Sequence, residues 1–212
     1  MWECPRCGKI NDGKHEICEK CKKMKIIISE VMPLRLVLIQ ESDLEKIKNW
    51  RMLPEVTNYM YTDPKLTMNN QLQWFTDINN NPAVKYWIIE YNSTKIGVLN
   101  LSDIDNTNKR CKWAYYIADN SYRGKGIGKT LECNIYDYVF YKLNLNKLVG
   151  EVFDWNEKVI ALHKNFGSKI EGTFKNHILK NGEFNNVVSM AILKNEWSKL
   201  RNKHTYYEID IE

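Results

Sequence analysis

Trp113-Ala114-Tyr115-Tyr116-Ile117-Ala118-Asp119-Asn120-Ser121-Tyr122-Arg123-Gly124-Lys125-Gly126-Ile127-Gly128-Lys129-Thr130 is the stretch that decides the fold. It begins as an apolar run that reads as a strand, turns at Asp119-Asn120-Ser121 and enters a glycine-rich loop. Ile127, Leu131, Ile135, Val139 and Leu143 then recur at helical spacing. A glycine loop thus opens a helix directly after a strand. The first N–H groups of a helix have no partner within it and carry a positive partial charge, so the place suits a phosphate. Glycines let the backbone approach an anion closely, and Arg123, Lys125 and Lys129 add charge. The dinucleotide pattern G-x-G-x-x-G is not met, and four residues do not separate the glycines as the Walker loop needs.

The flanking segments follow in order. Leu34 to Ile39 reads as a strand. Ser42-x-x-Glu45 is a capping box that predicts a helix to about Leu53, ended by Pro54. The aromatic-rich Val56 to Tyr61 follows, then a helix capped by Thr67 and carrying Leu72, Trp74, Phe75 and Ile78. Asn79 to Pro82 stops it. Lys85 to Tyr91 and Ile96 to Ile104 read as strands that lead into the quoted one, an antiparallel meander. After the glycine-loop helix come a strand at Lys147 to Phe153 and a helix at Asn156 to Phe166 with Gly167 as its stop. Strands at Ser168 to Lys180 and Glu183 to Lys194 are joined by Asn181-Gly182, a strong hairpin signal. Glu196 to Glu212 reads as a polar tail.

The first residues are different in kind. Trp2-x-Cys4-x2-Cys7-x3-Asn11-x6-Cys18-x2-Cys21 contains two C-x-x-C knuckles, whose separation can bring four thiolates round one tetrahedral Zn²⁺. The segment is too poor in apolar residues to fold unaided, and metal binding supplies roughly 10–16 kcal/mol in small zinc peptides. Redox chemistry or chance clustering is the other reading of the cysteines. The expected organisation is a finger over 1–25, a linker over 26–32, a main domain over 33–195 and a tail over 196–212. Four of the six cysteines lie in the finger, and Cys111 and Cys133 stand alone, so no disulfide framework is expected. The net charge of +5 suits anionic ligands without marking a nucleic-acid binder. No apolar run approaches the ~20 residues of a membrane span. Met1-Trp2-Glu3-Cys4 carries no apolar signal segment, so a cytoplasmic location without membrane contact is expected.

Arg123, Gly126 and Gly128 resemble the R-x-x-G-x-G signature of the GNAT (GCN5-related) N-acetyltransferases, and the order of elements over 33 to about 195 is similar to theirs. The resemblance implies an α/β (α+β) fold, with a mixed, mostly antiparallel sheet flanked by helices. It implies acetyl-CoA as cofactor, its pyrophosphate on Arg123 to Lys129 (Arg123, Gly124, Lys125, Gly126, Ile127, Gly128, Lys129). Its pantetheine would lie along the free backbone of Tyr116, Ile117 and Ala118. Asn156 to His163 resembles the family's N-x-x-A-I-x-L-Y helix, which places Asn156 near the cofactor. His163 stands where a Tyr usually protonates the thiolate. It is read as that acid, with a base or a packed helix-end His as alternatives. Glu151 is expected to take the amine proton, its alternative being a solvated strand end.

Trp50-Arg51, Pro54 and Tyr59-Met60-Tyr61, followed by Gln71 to Phe75, resemble the acetyltransferases of flagellin pseudaminic acid biosynthesis. Those act on the 4-amine of a UDP-linked deoxy-amino sugar. The resemblance implies a nucleotide-sugar site formed by Arg51, Met60, Tyr61, Gln71, Trp74 and Trp113. Met52-Leu53 and His163 depart from it, and core packing is the other reading of the aromatics. Alternatives are an acetyltransferase of protein N-termini, polyamines or aminoglycosides, or a non-catalytic adaptor. The stretch from Glu41 to Thr76 is mixed in charge, which disfavours cationic acceptors. The N-terminal segment is similar to Ran-binding-protein-type zinc fingers, with Cys4, Cys7, Cys18 and Cys21 as ligands. Gly8-Lys9 stands where ubiquitin binders have Thr-Phe, which argues against ubiquitin. Arg6, Lys9, Lys14 and Trp2 offer an RNA-binding face or a merely solvated basic surface, so the finger's partner stays open between protein and RNA. A homodimer is also among the expectations.

Overall fold

The computed structural model describes residues 1–4, 7–14, 17–21 and 33–212. Arg6 and the segment 22–32, which holds the expected linker, lie outside the described residues. At the N-terminus β1 (Trp2–Glu3) and β2 (Ile10–Asn11) pair antiparallel. Cys4, Cys18 and Cys21 are buried there against Trp2 and Cys7, a cluster of sulfur and one indole rather than an apolar core.

The main domain begins with β3 (Leu34–Leu38). A short turn then leads into α1 (Leu44–Arg51), α2 (Pro54–Thr57) and α3 (Met68–Asn80). The capping box before α1 is formed by Gln40 and Asp43, not by Ser42 and Glu45: the Asp43 carboxylate accepts from Gln40 N at 3.1 Å. Asp43 is buried and ion-paired to Lys95, a tertiary partner that Glu45 lacks among the described residues. Pro54 ends the first helix and also occupies the first turn of the next, where its missing N–H costs nothing. Thr67 caps α3, accepting from Asn70 N at 3.2 Å.

Then come β4 (Lys85–Tyr91), β5 (Thr94–Asp105) and β6 (Arg110–Ile117). The glycine loop leads into α4 (Ile127–Asp137), which runs on as a wide turn to Lys142. β7 (Lys147–Phe153), α5 (Glu157–Asn165), β8 (Lys169–Lys180) and β9 (Glu183–Leu193) follow. α6 (Lys194–Leu200) and the two-residue β10 (Asp210–Ile211) close the chain. β3 to β10 form one sheet in the order β10-β3-β4-β5-β6-β7-β9-β8. Among the described residues only β6–β7 and β10–β3 are parallel neighbours.

Alternation along the strands sorts side chains between two layers. Trp87, Ile89, Leu99, Leu101, Cys111 and Trp113 enter the larger core with α4 and Phe166. Ile88 and Val98 enter the smaller core with Leu44 and Ile47 of α1, against which Trp74 and Tyr116 pack. α4 is buried nearly all round, because its outer side is covered by the last residues of the chain. Those residues were expected to be a polar tail outside the domain; they are built into it. Trp197, Tyr206 and Ile209 are buried, and β10 adds a strand beside β3. Asn134 of α4 donates to Tyr207 O at 2.7 Å and accepts from Ile209 N at 3.1 Å. Asp137 receives Trp197 Nε1, Arg201 and Tyr206 Oη at 2.6–2.7 Å. Among the described residues no helix is long and apolar enough to cross a membrane.

Candidate active site

The site is made by a failure of strand pairing. β6 and β7 pair only at Arg110↔Lys147, Cys111↔Leu148 and Lys112↔Val149. Beyond that point β6 stays with β5 as far as Ile117 and β7 stays with β9 as far as Phe153. The two diverge, and the backbone of Trp113 to Ile117 keeps a free edge toward the gap. A cavity of about 590 Å³ opens there. Arg51, Met60, Tyr61, Trp113, Tyr116, Ile117, Arg123, Glu151, Asn156 and His163 all line it. Among the residues singled out for the acceptor, Gln71 and Trp74 do not. Gln71 is buried in α3, and Trp74 turns its ring edge-on to Tyr86 at 5.2 Å in the smaller core.

Ala118 and Gly124 to Lys129 are not among the residues that line the cavity; the loop runs from Arg123, which does line it, into the start of α4. Gly124 and Gly126 have φ of +78° and +77°, and a Cβ on either would meet nothing within 4 Å. The loop is therefore an open cradle whose conformation only glycine adopts without strain. The first turn of α4 has no side-chain cap, so its N–H groups stay available to an anion. These features fit a pyrophosphate, and the free edge of β6 fits an extended amide chain of the pantetheine kind. Arg123 also donates to Glu55 O at 3.3 Å, which ties the loop to α2.

Glu151, on β7, is not a free carboxylate. Its Oε2 accepts from Tyr61 Oη at 3.0 Å, and its Oε1 lies 3.1 Å from Lys112 Nζ. The hydrogen bond to Glu151 raises the lysine's proton affinity, and burial beside that carboxylate holds the Tyr61 phenol well above its usual range. A carboxylate held through both oxygens has a fixed orientation toward the cavity it lines.

Arg51, at the end of α1, is the more unusual group. Nη2 donates to Thr62 Oγ1 at 3.1 Å, whereas Nη1 is buried with no partner among the described residues. Tyr116 Oη, buried in the same wall, likewise has none. Burial lowers the arginine's proton affinity, opposed by Tyr116, Asp63 and Tyr86 nearby. Both oxygens of Asp63 are already held by Lys180 Nζ at 2.6 Å. Arg51, Lys112, Arg123 and Lys158 line the cavity against only Glu55 and Glu151, so its walls carry more positive than negative charge.

His163 sits on α5 and is buried, its ring tilted against Trp113 with centroids 5.4 Å apart. Its Nδ1 lies 2.9 Å from Oε1 of Glu132, a fully buried carboxylate on α4. The same oxygen accepts from Tyr136 Oη at 2.5 Å, and Ser168 Oγ lies 3.0 Å from that phenol. Glu132 is a residue that reading the chain in order misses. The signal was present: Glu132 is four residues after Gly128 and three before Ile135, so it lies on the apolar face of its helix.

The four finger cysteines offer sulfurs that all lie within 4.8 Å of one another, with Cys4–Cys21 at 3.4 Å and Cys7–Cys18 at 3.6 Å. Four thiolates at about 2.3 Å from a tetrahedral Zn²⁺ stand a little under 4 Å apart, so the set fits zinc. Burial pushes the Cys18 thiol up, but N–H groups of Cys21 and Lys20 with Cys7 and Asn11 outweigh it and bring it to about 6. Asn11 braces the loop, donating to Lys9 O at 2.9 Å and accepting from Glu19 N at 3.1 Å.

A model of the acetyltransferase (GNAT) domain family matches residues 34–169. Spermidine N(1)-acetyltransferase of Escherichia coli (strain K12) is 23% identical over 164 residues, covering 77% of this chain and 88% of that protein. Acetyltransferase PseH of Campylobacter jejuni (serotype O:23/36, strain 81-176) is 27% identical over 126 residues, 59% of this chain and 76% of its own. The crystal structure of spermidine N-acetyltransferase from Vibrio cholerae in complex with CoA and spermine superposes with a TM-score of 0.74 at 24% identity. It covers 78% of this chain and 98% of that one, and shares the fold.

Proposed function

The chain belongs to the acetyltransferase (GNAT) domain family, and on that premise we propose that it acetylates the amine of an anionic acceptor, the 4-amine of a UDP-linked deoxy-amino sugar. Transfer of acetyl from acetyl-CoA to an amine is the activity of the family. The observation that carries the acceptor class is Arg51, a partly buried cation whose Nη1 has no partner among the described residues and which lines the cavity. A buried cation attracts a phosphate or carboxylate and repels a polyamine. Tyr59, Tyr61 and Phe153 line the same cavity and, with the exposed Trp155, make an aromatic wall in which Tyr61 meets Phe153 edge-on at 5.4 Å. Phe153 and Trp155 stack at 5.2 Å, and Tyr59 meets Trp155 at 5.7 Å. Such a wall suits a pyrimidine ring.

In this reading the glycine loop and Arg123 hold the pyrophosphate, and Trp113 to Ala118 hold the pantetheine arm with Asn156 beside it. Backbone N–H groups of the free β6 edge face the thioester oxygen, where a preorganised donor is worth about 3–4 kcal/mol. Glu151, steadied by Lys112 and Tyr61, receives the amine proton through water. His163 faces the departing sulfur. The four finger cysteines hold a structural zinc, and the finger takes no part in acetyl transfer.

A polyamine is the second reading, favoured by the broad coverage of the spermidine-named relatives. Coenzyme A release, measured across UDP-amino sugars, polyamines, aminoglycosides and peptides, decides between them. Turnover of a UDP-amino sugar with none of spermidine is the expected result. Robust turnover of a polyamine or peptide alone overturns the acceptor assignment and leaves acetyl transfer intact.

A further inference from the structure

We infer that Glu132 is the positioning residue for His163: it keeps a proton on Nδ1 and leaves Nε2 as the nitrogen that protonates the departing thiolate. The inference rests on acetyl transfer itself and not on which amine accepts. An ionised carboxylate accepts hydrogen bonds and donates none. Oε1 of Glu132 stands 2.9 Å from Nδ1, so the ring's proton is on that nitrogen. The phenol of Tyr136, kept protonated by burial first and by Glu132 next, donates to the same oxygen. Ser168 continues the chain on the far side of the phenol. Trp113 packs on the ring, so His163 cannot swing freely about its side-chain bonds. Among the described residues no hydrogen bond occupies Nε2, and the ring lines the cavity between β6 and β7.

A pair of this kind is a poor structural device. Burying a carboxylate beside an imidazole costs desolvation that an apolar pair of similar size avoids. Glu132 also leaves Oε2 buried without a partner among the described residues, a further cost. What the pair supplies is direction, since it fixes the tautomer and orients the ring in the way a buried acid does for a catalytic histidine.

The neutral amine forms a bond to the carbonyl carbon, and the carbon–sulfur bond breaks with its electron pair on sulfur. The Nε2–H bond of the imidazolium breaks and that proton goes to sulfur. The ring is left neutral with its proton on Nδ1, and Nε2 regains one from water. The surplus proton of the new amide nitrogen leaves by Glu151 or solvent.

Two measurements test this. Long-range ¹H–¹⁵N correlation spectra of the full-length protein labelled in histidine, with His163 assigned by its loss in His163→Tyr, report the neutral tautomer. Protonation at Nδ1 is expected, and a neutral ring protonated at Nε2 overturns the inference whatever the substrate proves to be. Steady-state kinetics of Glu132→Gln are then compared in the native and His163→Tyr backgrounds. With His163 present, kcat should fall about 10- to 100-fold while both KM values move less than about twofold. In the His163→Tyr background the same change should cost less than about threefold. Equal losses in both backgrounds, or a loss carried by KM, would show that Glu132 acts only through packing. If Glu132→Gln fails to fold, the tautomer alone decides. If no UDP-amino sugar is turned over, the acceptor reading fails while the tautomer and the background comparison, run with any amine that is accepted, still decide this one.

Discussion

Replacing Arg51 by Met separates an anionic acceptor from a cationic one. The guanidinium is anchored through Nη2 to Thr62 at 3.1 Å and leaves Nη1 buried, unpaired among the described residues, in a cavity-lining side chain. Asp63, the carboxylate nearest in influence, is held through both oxygens by Lys180 at 2.6 Å and supplies no full counter-ion. A hydrogen bond from a cation to a phosphate is worth about 1.5–3 kcal/mol net. At about 1.4 kcal/mol per decade that becomes a rise in KM of roughly 10- to 150-fold for a UDP-amino sugar. Arg51→Met keeps the length of the stem and removes a charge that burial already disfavours, so the melting temperature should hold or rise. Acetyl-CoA affinity, read by calorimetry, should stay within about twofold, and any polyamine turnover should improve. An unchanged or lowered KM for the nucleotide sugar, in a variant that melts normally, refutes the anion contact.

Gly126→Val places a branched residue at φ +77° in the cradle, where glycine alone is unstrained. It should weaken acetyl-CoA binding at least about tenfold in a calorimeter while far-UV dichroism stays native, because the first turn of α4 carries about 1–2 kcal/mol of strain and the new side chain fills the anion's place. Unchanged affinity rules the cradle out. Elemental analysis should find one zinc per chain with all finger thiols reduced, and none after Cys18→Ser, with acetyl transfer unaffected; a metal-free native chain removes zinc from the account. Asp137→Ala strands the indole of Trp197, the guanidinium of Arg201 and the phenol of Tyr206 together. It should cost about 2–4 kcal/mol, roughly 5–15 °C in melting temperature, and a shift under about 2 °C would mean that the C-terminal residues do not stabilise the domain.

Much of the fold was legible because its signals are local. The Asn181-Gly182 turn, the Thr67 cap and the strand bounds at Lys85, Tyr91, Lys147 and Phe153 each depend on a few neighbouring residues. Ser42 and Glu45 satisfy the local capping rule, yet the box that forms is Gln40 with Asp43, whose carboxylate pairs with Lys95, more than fifty positions away. Gln71 and Trp74 lie on a helix whose apolar face could serve a cavity or a core, and periodicity does not distinguish the two. They went to the core, where Tyr86 meets Trp74 edge-on.

By itself the sequence determined the order of elements, the glycine cradle at Gly124 to Gly128 and the four-cysteine spacing, all properties of the chain within one or two turns. Only the tertiary structure decided where β6 and β7 part, that α4 would be buried on both sides, and that the last residues would cover it. It also decided the partners that give the site its chemistry. Glu132 and His163 are 31 positions apart and meet because the fold brings α5 within hydrogen-bond reach of α4. Glu151 reaches Tyr61 across 90 positions. Hydrophobic periodicity says which face of a helix turns inward, but a buried charge chooses its partner by distance in three dimensions, which no local pattern encodes.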